Sequence, residues 1–343
     1  MKATIRSVSL VGSLLIAPLL FAEGETGTSV ISSEDNSLSQ ETFSSAVIPD
    51  GQTLPRNVIR ARVATRSTLA GSKTYDENGT ETASSIDPDI LGAALLVDFG
   101  ITEQVSAGLM VPYRVRNNLS FNDPKIAAVS EKTGKTGLGD LEIGVLYNFL
   151  RNDMWRLSAG LGGRLATGAY SDIPGAYLTP GKGFNEIGLR LNADFQPVYG
   201  LWVSLQHQEE IAVSSAERKE STLNQHEVVA ASYKTDKKGL SRNGFAQAAY
   251  GLGAASSHLK ALYVKGRYAY AYDAKEESNS LNPRINEKKA AFTQFVGAGA
   301  GLDGRAYNMP LALEAYYQVP VAGTNNPVAS KTLDLTLSSY IQI

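Results

Sequence analysis

From Arg56 to Ile343 apolar side chains recur at every second position, and this period of 2 restricts the fold more than any other feature of the chain. The segment "NVIRARVATRSTL" places Ile59, Ala61, Val63, Thr65, Ser67 and Leu69 on one face and Arg60, Arg62 and Arg66 on the other. In "VDFGITEQVSAGLMVPYRVRN", Val105, Ala107, Leu109, Val111, Tyr113 and Val115 oppose Ser106, Gly108, Met110, Arg114 and Arg116. The final "LDLTLSSYIQI" alternates in the same way. Between the first and last segments, strands are predicted near 88–99, 104–117, 137–150, 155–167, 184–198, 201–213, 243–254, 259–275, 290–303 and 309–320, giving about 12 in all.

The connections alternate short and long. Short breaks fall at Gly100–Glu103, Arg151–Met154, Tyr199–Gly200, Ala255–His258 and Gly304–Pro310. Longer polar stretches fall at Ala70–Asp87, Asn118–Thr136, Gly168–Gly183, Ser214–Arg242, Glu276–Lys289 and Ala322–Ser330. A sandwich has no reason to send every long loop to one end, whereas an outer-membrane barrel does. Strand lengths agree, because a tilted membrane strand needs about 9–11 residues and ordinary strands run about 5–6. The expected fold is therefore all-β: a transmembrane antiparallel β-barrel of about 12 strands over residues 56–343, with short periplasmic turns and long extracellular loops. An even strand number puts both chain ends in the periplasm. Closure also removes the open strand edges that lipid cannot satisfy.

The start of the chain reads as an export signal. Lys2 and Arg6 form a basic region, Val8–Phe21 an apolar one, and Ala22 a small residue at the cleavage point, so 1–22 is expected to be a signal peptide. Residues 23–55 are rich in Ser, Thr, Gly and acids and read as a flexible periplasmic segment. Cys is absent, which excludes disulfides, thiolate metal sites and a lipid-anchored cysteine. A net charge of -2 gives no basis for nucleic-acid binding. Phe99, Tyr113, Phe149, Trp155, Phe195, Tyr199, Tyr268, Tyr270, Tyr272 and Tyr317 lie near strand ends and fit interfacial girdles, or ordinary sheet packing.

The opposite faces are charged to a degree no dry core tolerates. Arg60, Arg62, Arg66, Arg114, Arg116, Arg164, Arg190, Asp140, Glu142, Glu186 and Glu314 are the candidates to line the lumen and its constriction, and Arg156, Lys265, Arg267, Asp98, Asp194, Glu210 and Asp334 also point inward. Twelve strands at usual spacing and tilt enclose a backbone diameter of roughly 24 Å. Two readings stay open for these charges: a constriction that attracts anionic or polar solutes, or an ion-pair network that fixes the barrel shape.

Catalytic readings find little support. His207, His226 and His258 fall near a strand end, in a long loop and in a short turn, with no serine or carboxylate at triad spacing. No enzymatic activity, metal or cofactor is expected. Gly299-x-Gly301-x-x-Gly304 fits a dinucleotide fingerprint, but a strand follows it where a helix is required. Its glycines suit a strand with little lumenal bulk. Gly134-Lys135-Thr136 is an incomplete phosphate loop, with Val129 in place of the first glycine.

Two segments carry a family resemblance. "VDFGITEQVSAGLMVPYRVRN" resembles the strand, Gly-Ile-Thr turn, strand and Pro-Tyr hairpin of transporter-like outer-membrane proteins. "TGLGDLEIGVLYNFL" with "WRLSAGLGGRLATG" resembles their Gly-Leu-Gly-Asp strand and the Ala-Thr-Gly end of the next. The family is the one named after the MetA pathway of phenol degradation, distantly similar to FadL-like hydrophobic-compound channels, and the likeness spans roughly Leu95–Gly168. It implies passage of aromatic or other hydrophobic compounds. Gly137, Gly139 and Asp140 are the positions carried over, as a strand start facing the lumen. The chain departs from the pattern in lacking an apolar N-terminal hatch in 23–55 and in ending on Ile343 instead of an aromatic residue. The expectation is a passive channel in the bacterial outer membrane for small hydrophobic, aromatic or anionic solutes. Its partners would be outer-membrane lipid, the barrel-assembly machinery and the solute. The alternative is a structural or surface-exposed barrel without transport, binding a partner through its long loops.

Overall fold

The computed structural model describes residues 53–343 apart from 85, 122–131, 134–135, 169–179, 225–226 and 280–286. Among the described residues, 12 long antiparallel strands follow one another in chain order. They are β1 (Val58–Tyr75), β2 (Ile86–Gly100), β3 (Val105–Phe121), β4 (Leu141–Arg151), β5 (Trp155–Leu165) and β6 (Glu186–Val198), then β7 (Leu201–Ala212), β8 (Leu240–Gly251), β9 (Leu262–Asp273), β10 (Ala291–Asp303), β11 (Leu311–Thr324) and β12 (Asn326–Gln342). Each pairs with its sequence neighbour, and β12 returns to β1 in register from Val58↔Gln342 to Leu69↔Lys331. The sheet is a closed barrel.

The alternation decides which way this barrel faces. Leu95, Leu109, Ile143, Val145, Leu161, Ile187, Leu189, Leu191, Leu205 and Leu313 are exposed on the outside, while Ser158, Asn192, Asp194, Ser204 and Gln247 are buried inside. An apolar exterior around a polar interior inverts the soluble arrangement and suits lipid. Phe149, Trp155 and Tyr199 stand exposed at the short-turn ends of β4, β5 and β6, and Trp155 stacks on Phe195 with ring centroids 4.4 Å apart. Short turns mark the periplasmic end. At the first of them Thr102 Oγ1 accepts from the backbone N–H groups of Gln104 and Val105, closing the predicted Gly100–Glu103 hairpin.

A closed sheet with every strand paired on both sides is expected to resist detergent unfolding until heated. Unheated and boiled samples are expected to migrate differently on denaturing gels. Identical mobility, together with solubility in the absence of detergent, would contradict the membrane orientation.

Several connections differ from the sequence expectation; in Ala70–Asp87, for example, β1 continues to Tyr75 and a short strand, Glu81–Ala83, pairs back on it. Ala322–Ser330 is not a long loop: β11 and β12 meet at Asn325, whose φ of 50° makes a tight turn that Asn tolerates. The long stretches after β7 and β9 carry strands of their own, Ala216–Asn224, Glu227–Lys238, Lys275–Ser278 and Glu287–Lys288, paired as a separate four-stranded sheet. That sheet is latched to the barrel rim by Lys237, whose Nζ lies 3.0 Å from Glu186 and 2.8 Å from Asp273. Burial opposes the charge on Lys237, yet Asp273 and Glu186 together hold its ammonium above the ordinary lysine value.

The end of the supposedly flexible N-terminal segment is also ordered. Thr53 and Leu54 are buried at the periplasmic mouth. Leu54 N–H donates to Ser106 Oγ at 2.7 Å, and Thr53 Oγ1 donates to the Glu103 carbonyl at 2.9 Å. Pro55 lies against Gly100, where any side chain would collide with its carbonyl. Residues 1–52, including the expected signal peptide, lie outside the described residues.

Candidate functional site

Among the described residues two cavities lie in the lumen and share part of their lining. The larger, of about 700 Å³, extends from Asp303, Ser338 and Tyr340 near the short-turn end to Arg66, Arg114 and Lys182 near the long-loop end. The smaller, of about 340 Å³, lies along β1–β7 and reaches Leu54 at its periplasmic end. Arg60, Arg62, Leu96, Met110, Glu142 and Arg164 line both and form the partition between them. Among the described residues the larger cavity is lined by eight cationic and five anionic side chains. The smaller has four of each.

Strand register explains which charges meet. Arg60 and Arg62 on β1 both contact Asp98 on β2, at 2.9 and 2.7 Å. Arg66 makes a two-pronged pair with Asp334, its direct partner on β12, at 2.8 and 2.7 Å. On the other wall Arg164 reaches Glu142 at 2.8 Å, Glu186, and Glu210 at 3.3 Å. Lys265 meets Glu314 at 2.6 Å, and Tyr263 donates to the same carboxylate at 2.8 Å. Each of these pairs joins adjacent or next-but-one strands, so it lies along the wall instead of bridging the lumen. Facing carboxylates and guanidiniums thereby satisfy one another without filling the passage.

The glycines of "VGAGAGLDG" have a packing role in the same wall. Gly297, Gly299 and Gly301 face the lumen on β10, and the rings of Tyr316 and Tyr263 lie over them so closely that a Cβ would overlap ring atoms. Lys265 and Arg267 then sit 5.1 and 5.3 Å from the Tyr316 ring centroid, and Arg267 lies 4.0 Å over Phe245. Aromatic faces hold these cations in place. Gln247 Oε1 accepts from Arg267 at 2.6 Å and fixes it further.

Of the residues expected to line the lumen, Arg60, Arg62, Arg66, Arg114, Arg164, Asp140, Glu142 and Glu314 line the larger cavity, and Glu186 and Arg190 the smaller. Arg116 is elsewhere. The β2–β3 register shifts between Leu91 and Gly92, so that Arg114 opposes Gly92 while Arg116 opposes Leu91. The extra residue, Val115, is a bulge that reverses the alternation. Arg116 therefore stands on the outer face near the rim, paired with Asp89 at 2.8 Å.

Asp140 has a different part from the one its charge suggested. Its two carboxylate oxygens accept from the backbone N–H of Gly168 at 2.9 Å and of Lys182 at 2.6 Å. Gly168 packs against Gly139 and Gly181 at distances that leave no room for a side chain. The Gly-Leu-Gly-Asp segment thus ties down both ends of the β5–β6 loop, which brings Pro180 and Lys182 to the larger cavity. Lys182 was not legible as a lumenal residue, since loop positions carry no alternation. Tyr263 and Tyr316 could have been found: each shares lumenal parity with the charged neighbours Lys265 and Glu314.

His207 lies on the outer face, bonded to Tyr270 and 3.5 Å from Glu209, which itself meets Arg242 at 3.0 Å. His258 lies in a short 3-10 turn, and His226 is outside the described residues. Among the described residues no three or more His, Cys, Asp or Glu side chains are placed so that they could hold a metal ion.

No protein-family model matches the chain, and no curated protein matches it. Among solved structures, a COG4313 outer membrane channel from Pseudomonas putida F1 superposes with a TM-score of 0.62 at 13% identity, covering 86% of this chain and 100% of that one. A mutant of the TodX monoaromatic hydrocarbon channel gives a TM-score of 0.48 at 11% identity, covering 90% and 94%. The beta domain of the Bordetella autotransporter BrkA gives 0.45 at 12% identity, covering 83% and 99%. The first of these likenesses, the closed 12-stranded topology and the apolar exterior together define a bacterial outer-membrane β-barrel.

Proposed function

We propose that this barrel is a passive channel for small solutes with a preference for anions. The observation that carries the reading is the larger cavity: it touches residues near both ends of the barrel, its ion pairs lie along the wall, and cations outnumber acids in its lining. A cation-rich, water-accessible passage raises the local concentration of anions and lowers their barrier to entry. The density of charge along this path favours charged or polar solutes over the hydrophobic compounds that the family resemblance implies. Membership of the family named after the MetA pathway remains part of the proposal for Leu95–Gly168, with Gly137, Gly139 and Asp140 as its structural positions. Export through a signal peptide at 1–22, and insertion by the barrel-assembly machinery, complete it.

Planar-bilayer recording under a salt gradient tests the reading. Discrete conductance with a reversal potential displaced toward the anion is expected. Changing Arg60, Arg62 and Arg66 to Gln should reduce that displacement. Absence of any conductance would overturn the channel and favour a barrel that binds a partner through its loops.

A further inference from the structure

Three neighbouring strands place two arginines on either side of a missing side chain. Gly92 on β2 is the register partner of Arg66 on β1 and also of Arg114 on β3. Residues paired directly across strands share a face, so all three lie in one lumenal row. The row continues through Asp334, Tyr316 and Gly299 to Lys265 on β9. At its centre Gly92 leaves a notch in the wall. A Cβ built there would lie 3.4 Å from Arg114 Nη1, which places that guanidinium over the bare glycine.

The two arginines differ in what neutralises them. Arg66 spends Nε and Nη2 on Asp334. Arg114 has no hydrogen bond or ion pair with a carboxylate among the described residues. Both arginines stand one strand from Gly92 on the same face, about 10 Å apart at the backbone. Two like charges flank the notch, and the one acid that meets them, Asp334, pairs with Arg66 from the β12 side, away from Arg114, so an anion at the notch lowers the energy of the wall itself. A guanidinium presents parallel N–H donors that match carboxylate and phosphate oxygens.

We propose that Arg66, Gly92 and Arg114 form an oxyanion subsite in the passage, which takes the carboxylate or phosphate group of a small solute. The inference rests on the anion-passage reading and deepens it. Gly92 supplies the space, Arg114 the principal donors, and Arg66 a second cation whose geometry Asp334 holds fixed. Binding at such a site is weak and reversible, as conduction requires.

Equilibrium binding to the full-length detergent-solubilised protein tests it apart from conductance. Line broadening of the phosphorus resonance of inorganic phosphate, and of the carbon resonance of labelled malonate, should report saturable binding at about 1–10 mM. Arg114→Gln should weaken binding about tenfold or more. Gly92→Val, which fills the notch and keeps every charge, should weaken it similarly. Arg116→Gln on the outer face should leave it unchanged, and all three variants should keep the heat-dependent gel shift that reports a folded barrel. Binding of only one probe assigns the subsite to phosphate-bearing or to carboxylate-bearing solutes. The proposal is overturned if neither probe binds, or if the Arg114 and Gly92 variants bind like the parent. Binding without conductance would instead remove the channel reading and leave the subsite standing.

Discussion

Arg164→Met is expected to destabilise the barrel by about 3–5 kcal/mol, the usual cost of removing one partner from a buried charge network. Arg164 is the common counter-ion of Glu142, Glu186 and Glu210, and the Glu186 side chain is 1% exposed. Lys237 and Lys182 remain near Glu186, but Glu142 and Glu210 lose the only cation that the described contacts give them. Three crowded carboxylates in a narrow wall then repel one another. The loss should appear as a lower temperature for conversion of the folded to the unfolded gel band and a lower urea midpoint. Adding Glu142→Gln and Glu210→Gln to the same variant should restore most of the stability, because neutral amides need no counter-ion. An unaltered conversion temperature in the single variant would show that solvent in the lumen, and not Arg164, carries these carboxylates.

Asp140→Ala should act on the passage more than on the barrel. The carboxylate accepts two backbone N–H bonds, one from each end of the β5–β6 loop. Hydrogen bonds to a charged group contribute about 1.5–3 kcal/mol each, so their loss should raise the population of loop-released states by tenfold or more. Two readouts follow. Trypsin should cleave after Lys182 at least about tenfold faster, and single-channel current should increase as Pro180 and Lys182 leave the cavity wall. Asp140→Asn keeps one acceptor oxygen and should fall between the two. The heat-conversion temperature should barely move, since the strands keep their pairing. Parental cleavage rate and parental current in Asp140→Ala would together refute the latch.

The two cases show which parts of the structure alternation can reveal. "NVIRARVATRSTL" is paired on both sides without interruption from Ile59 to Ser67, so parity alone puts Arg60, Arg62 and Arg66 in the lumen. Arg116 breaks that logic because one extra residue, Val115, inverts every later side chain on its strand, and a bulge leaves no mark in a hydropathy pattern. The strands Ala216–Asn224 and Glu227–Lys238 escaped for a different reason. Their sheet stands outside the membrane, so no continuous apolar face announces it. "GTNNPVAS" has the composition of a loop, yet Asn325 alone makes the turn. Asp140 was read as a lumenal charge and as a strand start, while the two backbone segments it holds are distant in sequence and left no local signal. The twelve strands follow from local pattern, and the errors gather where the pattern shifts, stops or gives way to tertiary contact.

The β1–β12 seam has a consequence for assembly. It joins the two chain ends of the barrel, so its long ladder consists of the contacts most distant in sequence and carries the largest loop-closure cost of any strand pair. A slip of one residue at this last join would exchange inside for outside along a whole strand. Arg66 meets Asp334 only in the native alignment; moved by one position, it would face Leu333 or Leu335. A one-residue slip would therefore cost the bidentate pair as well as the facing of the strand, so Arg66 and Asp334 add to the preference for the native seam.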